Sequence, residues 1–208
     1  MKYPLEDMLP YQLLALLVLA VFYGIYFVKL IVQRSHGIQT HQIGSRSEKE
    51  IHQVETWMSI ATVGVVAAQL LSILFDWNYL PANARFTGFF IGMLGDMIFL
   101  ISVITMKDSW RAGIPKTDRT ELITTGIYRY SRNPAFLGFD LQYMGLLLMY
   151  GNFLTAGFSI FAMSMLHMQI LQEEKYLTEE FGETYLEYKK QVFRYLGRIK
   201  NTIQTAIR

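Results

Sequence analysis

Residues 126–138 read GIYRYSRNPAFLG, and residues 173–194 read EEKYLTEEFGETYLEYKKQVFR. Between these two polar motifs lie two apolar stretches, residues 135–150 and 153–171, which only Gly151 and Asn152 separate. Apolar stretches joined by so short a turn predict an antiparallel helical hairpin in a membrane. Such a hairpin returns the chain to its starting side. The two motifs are therefore predicted to meet at one face of the bilayer and to form one site.

The rest of the chain is also apolar in long runs. Hydrophobic residues make up 52% of the sequence and charged residues 17%, which is too apolar for an ordinary soluble domain. Three further runs cover residues 10–32, 54–75 and 86–106. About 20 apolar residues cross a hydrocarbon core of roughly 30 Å. The sequence therefore predicts an all-α integral membrane protein with five transmembrane helices, the first of them a retained anchor rather than a signal peptide.

The basic residues sort by loop. Of the 19 Lys and Arg residues, all but Lys2 and Arg85 fall on one side of a five-helix topology. Because Lys and Arg concentrate on the cytosolic side of membrane proteins, the N-terminus is predicted outside and both motifs in the cytosol. The chain has no cysteine, which excludes thiolate chemistry, and it carries no His-Glu-x-x-His motif, P-loop or dinucleotide fingerprint. Neither a metal ion nor a nucleic acid is predicted as a partner.

Arg132, Asn133 and Pro134 open the predicted fourth helix. Asn is a good N-cap and Pro fits the first helical turn, so a well-capped helix start explains them without any ligand. A helix N-terminus also attracts anions, and Arg129 and Arg132 flank it. With the aromatic rings of Tyr128, Tyr130 and Phe136 nearby, this corner is also a candidate site for an anionic, partly aromatic ligand.

Glu173 and Glu174 mark the exit from the fifth helix. Such a pair is usually solvated, but here it can face the Arg-Asn-Pro corner and accept hydrogen bonds from a ligand. Beyond it, Phe181, Tyr185, Tyr188 and Val192 form an amphipathic stripe. Such a stripe is typical of core packing, but it could instead cover a bound ligand or lie on the membrane. Arg194 is a candidate to hold an anionic substrate.

Asp96 lies near the middle of the predicted third helix. An ionisable residue at that depth is costly and must face protein, a partner or water. A structural hydrogen bond to Gln69 or Gln142 is favoured over a place on a substrate path. The spacing Gly88-x-x-x-Gly92 on the same helix permits close helix approach and is interpreted as packing.

Taken together, these motifs resemble the isoprenylcysteine carboxyl methyltransferase family and, more distantly, the phospholipid N-methyltransferases. The resemblance covers roughly residues 110–197. It depends on a set of residues that are specific in combination: Gly126, Tyr128, Arg132, Asn133, Pro134, Phe136, Gly138, Glu173, Glu174, Phe181, Gly182, Tyr185, Tyr188, Val192 and Arg194.

The resemblance implies that S-adenosylmethionine is the methyl donor and that a lipophilic acceptor enters from the bilayer. It divides the chain into an N-terminal three-helix membrane region, residues 1–106, and a catalytic region, residues 107–208, whose C-terminal cytosolic helical segment closes over the cofactor. Arg194 and Glu173 are the implied catalytic residues. The implied cofactor-binding residues are Gly126, Tyr128, Arg132, Asn133, Pro134, Phe136, Glu173, Glu174, Tyr185 and Tyr188.

Two acceptor chemistries stay open at this stage. A carboxylate is already deprotonated and would need only Arg194 to hold it, which makes carboxyl methylation of a prenylcysteine-like molecule the leading prediction. An amine would need a proton acceptor, for which Glu173 or Glu174 is the candidate. An NADPH-dependent membrane reductase of the sterol reductase kind and a non-enzymatic scaffold are the further alternatives.

Two positions depart from the family pattern. The family often has His where this chain has Asn133, and often has Pro shortly after the position of Arg194, where this chain has Tyr195, Leu196 and Gly197. A role that needs an imidazole is thus in doubt, and the substrate-binding end is expected to differ.

Overall fold

The computed structural model describes residues 5–199 except 39, 41, 44–48 and 115–120. Lys2, Arg46, Lys116, Arg119, Lys200 and Arg208, which entered the charge comparison, lie outside these residues. The described chain forms α1 (Leu5–Ser35), α2 (Lys49–Leu74), α3 (Ala82–Met106), α4 (Pro134–Met149) and α5 (Phe153–Gln191), with short 3₁₀ turns at Lys107–Ser109 and Gly126–Arg129. Within this part of the chain no strand is assigned, and Val192 and Arg198 form an isolated bridge. The predicted all-α class is confirmed.

Four of the helices are long and apolar enough to cross a membrane. Their candidate spans are Pro10–Ser35, Lys49–Leu74, Ala82–Ser109 and Phe153–Gln191. Apolar side chains such as Ile31, Leu74 and Leu94 are exposed on the outer faces of these helices, as a lipid environment permits. Helix α4 has 16 residues and is shorter than these spans. The structure therefore supports an integral membrane protein with four candidate spans, one fewer than predicted.

Glycines bring α3 and α4 into backbone contact. Gly88, Gly92 and Gly95 of α3 face Gly138 and Gly145 of α4. A Cβ atom placed on Gly145 would lie 2.4 Å from the Gly92 backbone nitrogen, closer than any side chain tolerates. The interpretation of the Gly88–Gly92 spacing as packing is thus confirmed. This contact crosses the predicted boundary after residue 106, so the two predicted regions share one core and their division stays a prediction.

The α3–α4 contact leads to a stability prediction. Gly145→Ala places a methyl group against backbone that cannot move aside, and we expect it to destabilise the protein by about 3 kcal/mol. The matched control is Gly157→Ala in α5, where the added Cβ meets nothing within 4 Å. Thermal unfolding in detergent should show a lower midpoint for Gly145→Ala only. Equal midpoints for the two variants would contradict the close approach.

The hairpin between α4 and α5 closes at the opposite end from the motifs. The Asn152 side chain caps α5 by accepting hydrogen bonds from the backbone N–H groups of Leu154 and Thr155. Its Nδ2 atom also donates to Ser72 Oγ at 2.8 Å, which ties the turn to α2. Nearby, Arg85 pairs with Asp76 at 3.0 Å. The hairpin therefore has a fixed turn, and α4 and α5 lead back to the same side.

Asp96 does not follow its prediction. The residue is buried, but neither carboxyl oxygen accepts a hydrogen bond within the described part of the chain. The side chains of Gln69 and Gln142 also have no partner there. At this level of the bundle, the backbone of Gly95 packs directly on the backbone of α4, with a Cβ position 2.7 Å from Gln142 N. The expected structural hydrogen bond was wrong, because backbone contacts rather than polar side chains make this interface.

Candidate functional site

The two polar motifs meet at the start of α4. The Arg132 backbone N–H donates to the carbonyl of Phe193 at 3.1 Å, and that of Asn133 donates to Arg194 at 3.2 Å. One residue pair further out, the Gly197 N–H donates to the Tyr130 carbonyl at 2.7 Å. The segment that follows α5 thus runs alongside the segment that precedes α4. The juxtaposition expected from the hairpin is present in the structure.

Glu174 lies at the centre of this junction and is 3% exposed. Its Oε1 atom accepts hydrogen bonds from Arg132 Nε at 3.2 Å and Nη2 at 2.8 Å, and from Asn133 Nδ2 at 3.1 Å. Arg194 approaches from the other side, with Nε 3.1 Å from Oε1 and Nη2 3.0 Å from Oε2. A charged hydrogen bond is about twice as strong as a neutral one, and this carboxylate receives several. We call Arg132, Asn133, Glu174 and Arg194 the carboxylate cluster.

The cluster keeps one net positive charge, because two guanidinium groups share one carboxylate. Arg132 is almost buried and uses Nη1 to donate to the carbonyl of Val192 at 2.9 Å, at the end of α5. The Arg194 side chain is 32% exposed. Hydrogen bonding to Glu174 raises the pKa of Arg194 further above its ordinary value. A cationic group that faces solvent in part is suited to an anionic ligand.

Asn133 occupies the predicted N-cap position but does not cap the helix. The structure contains no hydrogen bond from a helix N–H to its side chain. Instead its Nδ2 atom donates to Glu174 and to the Arg194 carbonyl at 3.2 Å. The capping prediction was wrong in this respect, because the side chain is held by the two hydrogen bonds that its Nδ2 atom donates, and its Oδ1 atom accepts none from the helix N–H groups.

The aromatic stripe packs as a core. Tyr185, Tyr188 and Val192 form one buried cluster, against which Leu122, Leu177 and Phe181 pack. Tyr188 Oη donates to the Tyr128 carbonyl at 2.6 Å and so fixes the upstream motif. Burial raises the pKa of the Tyr128 phenol well above its ordinary value, so this group stays protonated. Closure of the stripe over a ligand stays a prediction.

A large cavity lies beside residues that neighbour the carboxylate cluster in sequence, Ala135, Phe136 and Glu173, although no member of the cluster lines it. It measures about 660 Å³ and is lined by α1, α2, α4, α5 and the segment after α3. Most of its wall is apolar, and it includes Phe136 of the predicted set. Its polar wall includes Glu173 and Gln169, whose Nε2 atom donates to Glu173 Oε1 at 3.2 Å. Neighbours in sequence thus diverge: Glu174 enters the cluster, whereas Glu173 faces the cavity.

Gly126 and Pro134 shape the backbone here. Gly126 has φ +58, and a Cβ atom on it would lie 2.9 Å from the side chain of Thr105. Only glycine fits such a turn without strain. Pro134 is buried at the first turn of α4. Both residues position the motif, and any contact with a cofactor stays a prediction.

The sequence interpretation missed residues of the N-terminal half that build the cavity wall. Glu55 of α2 is 0% exposed and accepts a hydrogen bond from the Ile114 N–H at 3.3 Å. Gln33 of α1, also buried, donates to the Trp110 carbonyl at 3.2 Å. Both hold the segment after α3, which lines the cavity. A carboxylate within an apolar helix is itself a functional signal, and it could have identified Glu55.

Comparison with known proteins shows which families this chain resembles. Residues 84–184 match the phospholipid methyltransferase family. The chain is similar to the protein-S-isoprenylcysteine O-methyltransferase of Schizosaccharomyces pombe, with 39% identity over 34% of this chain and 30% of that protein. It is also similar to the Saccharomyces cerevisiae protein of the same name, with 32% identity over 57% of this chain and 51% of the relative. The Dictyostelium discoideum protein of the same name is 26% identical over 57% of this chain and 53% of the relative.

The fold and these similarities define a membrane protein related to the methyltransferases. The predicted resemblance to the isoprenylcysteine carboxyl methyltransferases, with more distant similarity to the phospholipid methyltransferases, is confirmed. The three relatives are methyltransferases by name, and for this chain the predicted class of enzyme is a proposal. The chain spans about half the length, or less, of these three curated relatives.

Proposed function

We propose that this chain is a membrane methyltransferase that transfers a methyl group from S-adenosylmethionine to a lipophilic acceptor. Carboxyl O-methylation of an isoprenylcysteine-like molecule is the leading version. The observation that carries the proposal is the position of the cavity. A wall of apolar side chains leads to Glu173, one residue from the carboxylate cluster. A lipid tail and a polar head can thus be held side by side.

The residues present fit S-adenosylmethionine. Gln169, which lines the cavity, has a buried Oε1 atom without a partner in the described part of the chain, and a ligand with amino or hydroxyl groups would satisfy it. The Glu173 carboxylate and the ring of Phe136 suit a positively charged ligand. The net positive carboxylate cluster suits a ligand carboxylate. When bound, the donor supplies a methyl group on a sulfonium.

The role of the protein in such a displacement is alignment and exclusion of water. Glu174 holds Arg132, Asn133 and Arg194 in one arrangement. The segment after α3, which Gln33 and Glu55 hold, forms part of the cavity wall. We propose that Glu174 acts mainly by positioning these groups, while its predicted direct contact with the cofactor stays a prediction.

A lipid amine is the second candidate acceptor. Two observations favour it: the match to the phospholipid methyltransferase family and the presence of Glu173 on the cavity wall. An amine must lose a proton when it is methylated, and Glu173 could take that proton. A carboxylate acceptor requires no base, and Arg194 would then hold it.

We further propose that α4 is a fifth, shorter span, so that the N-terminus lies outside and the site in the cytosol. Backbone contact with α3 supports this, because it places α4 beside a helix that is long and apolar enough to cross. The distribution of Lys and Arg supports the orientation. The direct test of the function is incubation with labelled S-adenosylmethionine and a total membrane lipid extract. A labelled lipid identifies the acceptor, and the absence of any label would overturn the proposal.

Arg194→Lys should separate acceptor from cofactor. Lysine cannot reproduce the fork that Arg194 places on both oxygens of Glu174. We expect the KM for the acceptor to rise about tenfold, since roughly 1.4 kcal/mol of a charged contact is lost. Cofactor affinity should stay near normal, and Arg198→Lys, on the exposed side of the same segment, should change neither. Equal loss of both affinities would place Arg194 at the cofactor.

Filling the cavity should exclude the acceptor. Val66 of α2 lines the cavity, whereas Ile60 of the same helix is 49% exposed on its outer surface. We expect Val66→Trp to raise the KM for a lipophilic acceptor at least tenfold, because the tail loses its volume. Ile60→Trp is the control and should have no effect. Equal acceptor KM values in the two variants would mean that the tail binds elsewhere.

A further inference from the structure

The segment after α5 carries apolar side chains on its outer surface. Phe193 is 52% exposed, Leu196 70% and Ile199 47%. Tyr130, whose carbonyl accepts the Gly197 N–H, is 58% exposed beside them. These four residues belong to the two segments whose backbones pair beside the carboxylate cluster. Exposed apolar side chains grouped on such segments mark an interaction site. We call residues 192–199 the C-terminal hook.

The hook is a tight hairpin that points back along α5. The Phe193 N–H donates to the Gly197 carbonyl at 2.9 Å, and Val192 pairs with Arg198. At its tip the side chains separate. Arg194 turns inward to Glu174, Tyr195 turns inward to α5, and Leu196 points outward.

The contact between Tyr195 and His167 shows how far the hook extends along α5. Its hydroxyl lies 2.7 Å from His167 Nδ1, and the two rings stack. His167 precedes Glu174 by seven residues, which is about 10 Å along a helix at 1.5 Å per residue. Met168, Ile170 and Leu171 lie between His167 and Glu173, together with the polar Gln169 and Gln172. The Tyr195 side chain therefore reaches the level of the last apolar residues of α5.

We propose that the C-terminal hook is embedded in the lipid leaflet at this end of the bundle. Phe193, Leu196 and Ile199 would enter the boundary between headgroups and acyl chains, with Tyr130 as an interfacial aromatic. Arg198 and Lys189, both exposed, would meet lipid phosphates. Arg194 lies between Phe193 and Leu196 in sequence, and both of these side chains would be inserted. The exposed part of the Arg194 guanidinium would then lie at the depth of the lipid headgroups. The occupant is the bilayer, and this holds whichever acceptor is methylated.

The absence of cysteine allows a direct test by spin labelling. Leu196→Cys and, in a second variant, Phe193→Cys are labelled with a nitroxide in lipid nanodiscs. Collision with oxygen, which enters lipid, is compared with collision with a water-soluble nickel complex. The references are Leu94→Cys on the outer face of α3 and Glu180→Cys on the exposed part of α5.

The proposal predicts ratios at Leu196 and Phe193 that lie between those at Glu180 and Leu94, because Leu94 is at the middle of α3 and therefore deeper in the bilayer. The ratio of oxygen to nickel collisions should be several-fold higher than at Glu180. Ratios equal to that at Glu180 would place the hook in water and overturn the proposal. A label that neither reagent reaches would also overturn it, since it would show the surface covered by protein rather than lipid.

Discussion

Glu174→Gln should cost both stability and activity. The substitution keeps the shape of the side chain but leaves two guanidinium groups without their carboxylate, and Arg132 is almost buried. Removing one partner from a buried ion pair costs about 3–5 kcal/mol, because a charge remains uncompensated. We expect a loss of this order in the free energy of unfolding. Loss of the carboxylate also frees Asn133 and Arg194, so methyl transfer should fall by about 100-fold or more.

The control for this prediction lies on the same helix. Glu180 is exposed on α5, and Glu180→Gln should alter neither unfolding nor methyl transfer. Thermal or denaturant unfolding in detergent measures the first effect, and transfer of label to lipid measures the second. If Glu174→Gln retained the unfolding free energy of the unmodified chain, the cluster would not hold the two motifs together. If it retained full transfer, the cluster would not position the reacting groups.

Glu173→Gln should act on the reaction rather than on stability. Gln at this position can still accept the hydrogen bond from Gln169, so the unfolding free energy should change little. With an amine acceptor, loss of the proton acceptor should lower the rate constant by about 10²–10⁴. With a carboxylate acceptor there is no proton to remove, and the rate should stay within about tenfold. Glu173→Asp should restore part of the amine reaction.

This comparison also identifies the acceptor chemistry. Glu173→Gln and Glu174→Gln are each assayed with a prenylated carboxylate and with a lipid amine, and the outcomes for Glu173→Gln distinguish the acceptors. A large loss with the amine alone supports Glu173 as the base. An equal loss with both substrates would contradict that role and would indicate that Glu173 contributes to binding of the donor.

The meeting of the two motifs was predictable from the sequence because it depends only on the topology of the hairpin. Two apolar stretches with a short turn leave few alternatives, and the structure has the expected hairpin. The pairing within the site was harder to predict. Neighbours such as Glu173 and Glu174 differ by 100° around a helix, and only tertiary packing decides which of them meets Arg132. The contributions of Gln33 and Glu55 depend on contacts between residues far apart in sequence, which local pattern does not encode.

Some errors had a common cause. Asn133 was expected to cap α4, and Asp96 was expected to bond to a neighbouring glutamine. Both predictions relied on the local or pairwise preference of one residue and left out the tertiary packing around it. In the structure the Nδ2 atom of Asn133 donates to the buried carboxylate of Glu174. Next to Asp96, Gly95 packs on the backbone of α4, and among the described residues the Asp96 carboxylate has no hydrogen bond to a glutamine.

The most direct test of the proposed function is calorimetric titration of the protein in nanodiscs with S-adenosylhomocysteine and, separately, with NADPH. The methyltransferase proposal predicts saturable binding of S-adenosylhomocysteine and no heat from NADPH. Glu174→Gln should weaken the first titration, while Glu180→Gln should leave it unchanged. Binding of NADPH alone would contradict the proposal and would favour a membrane reductase.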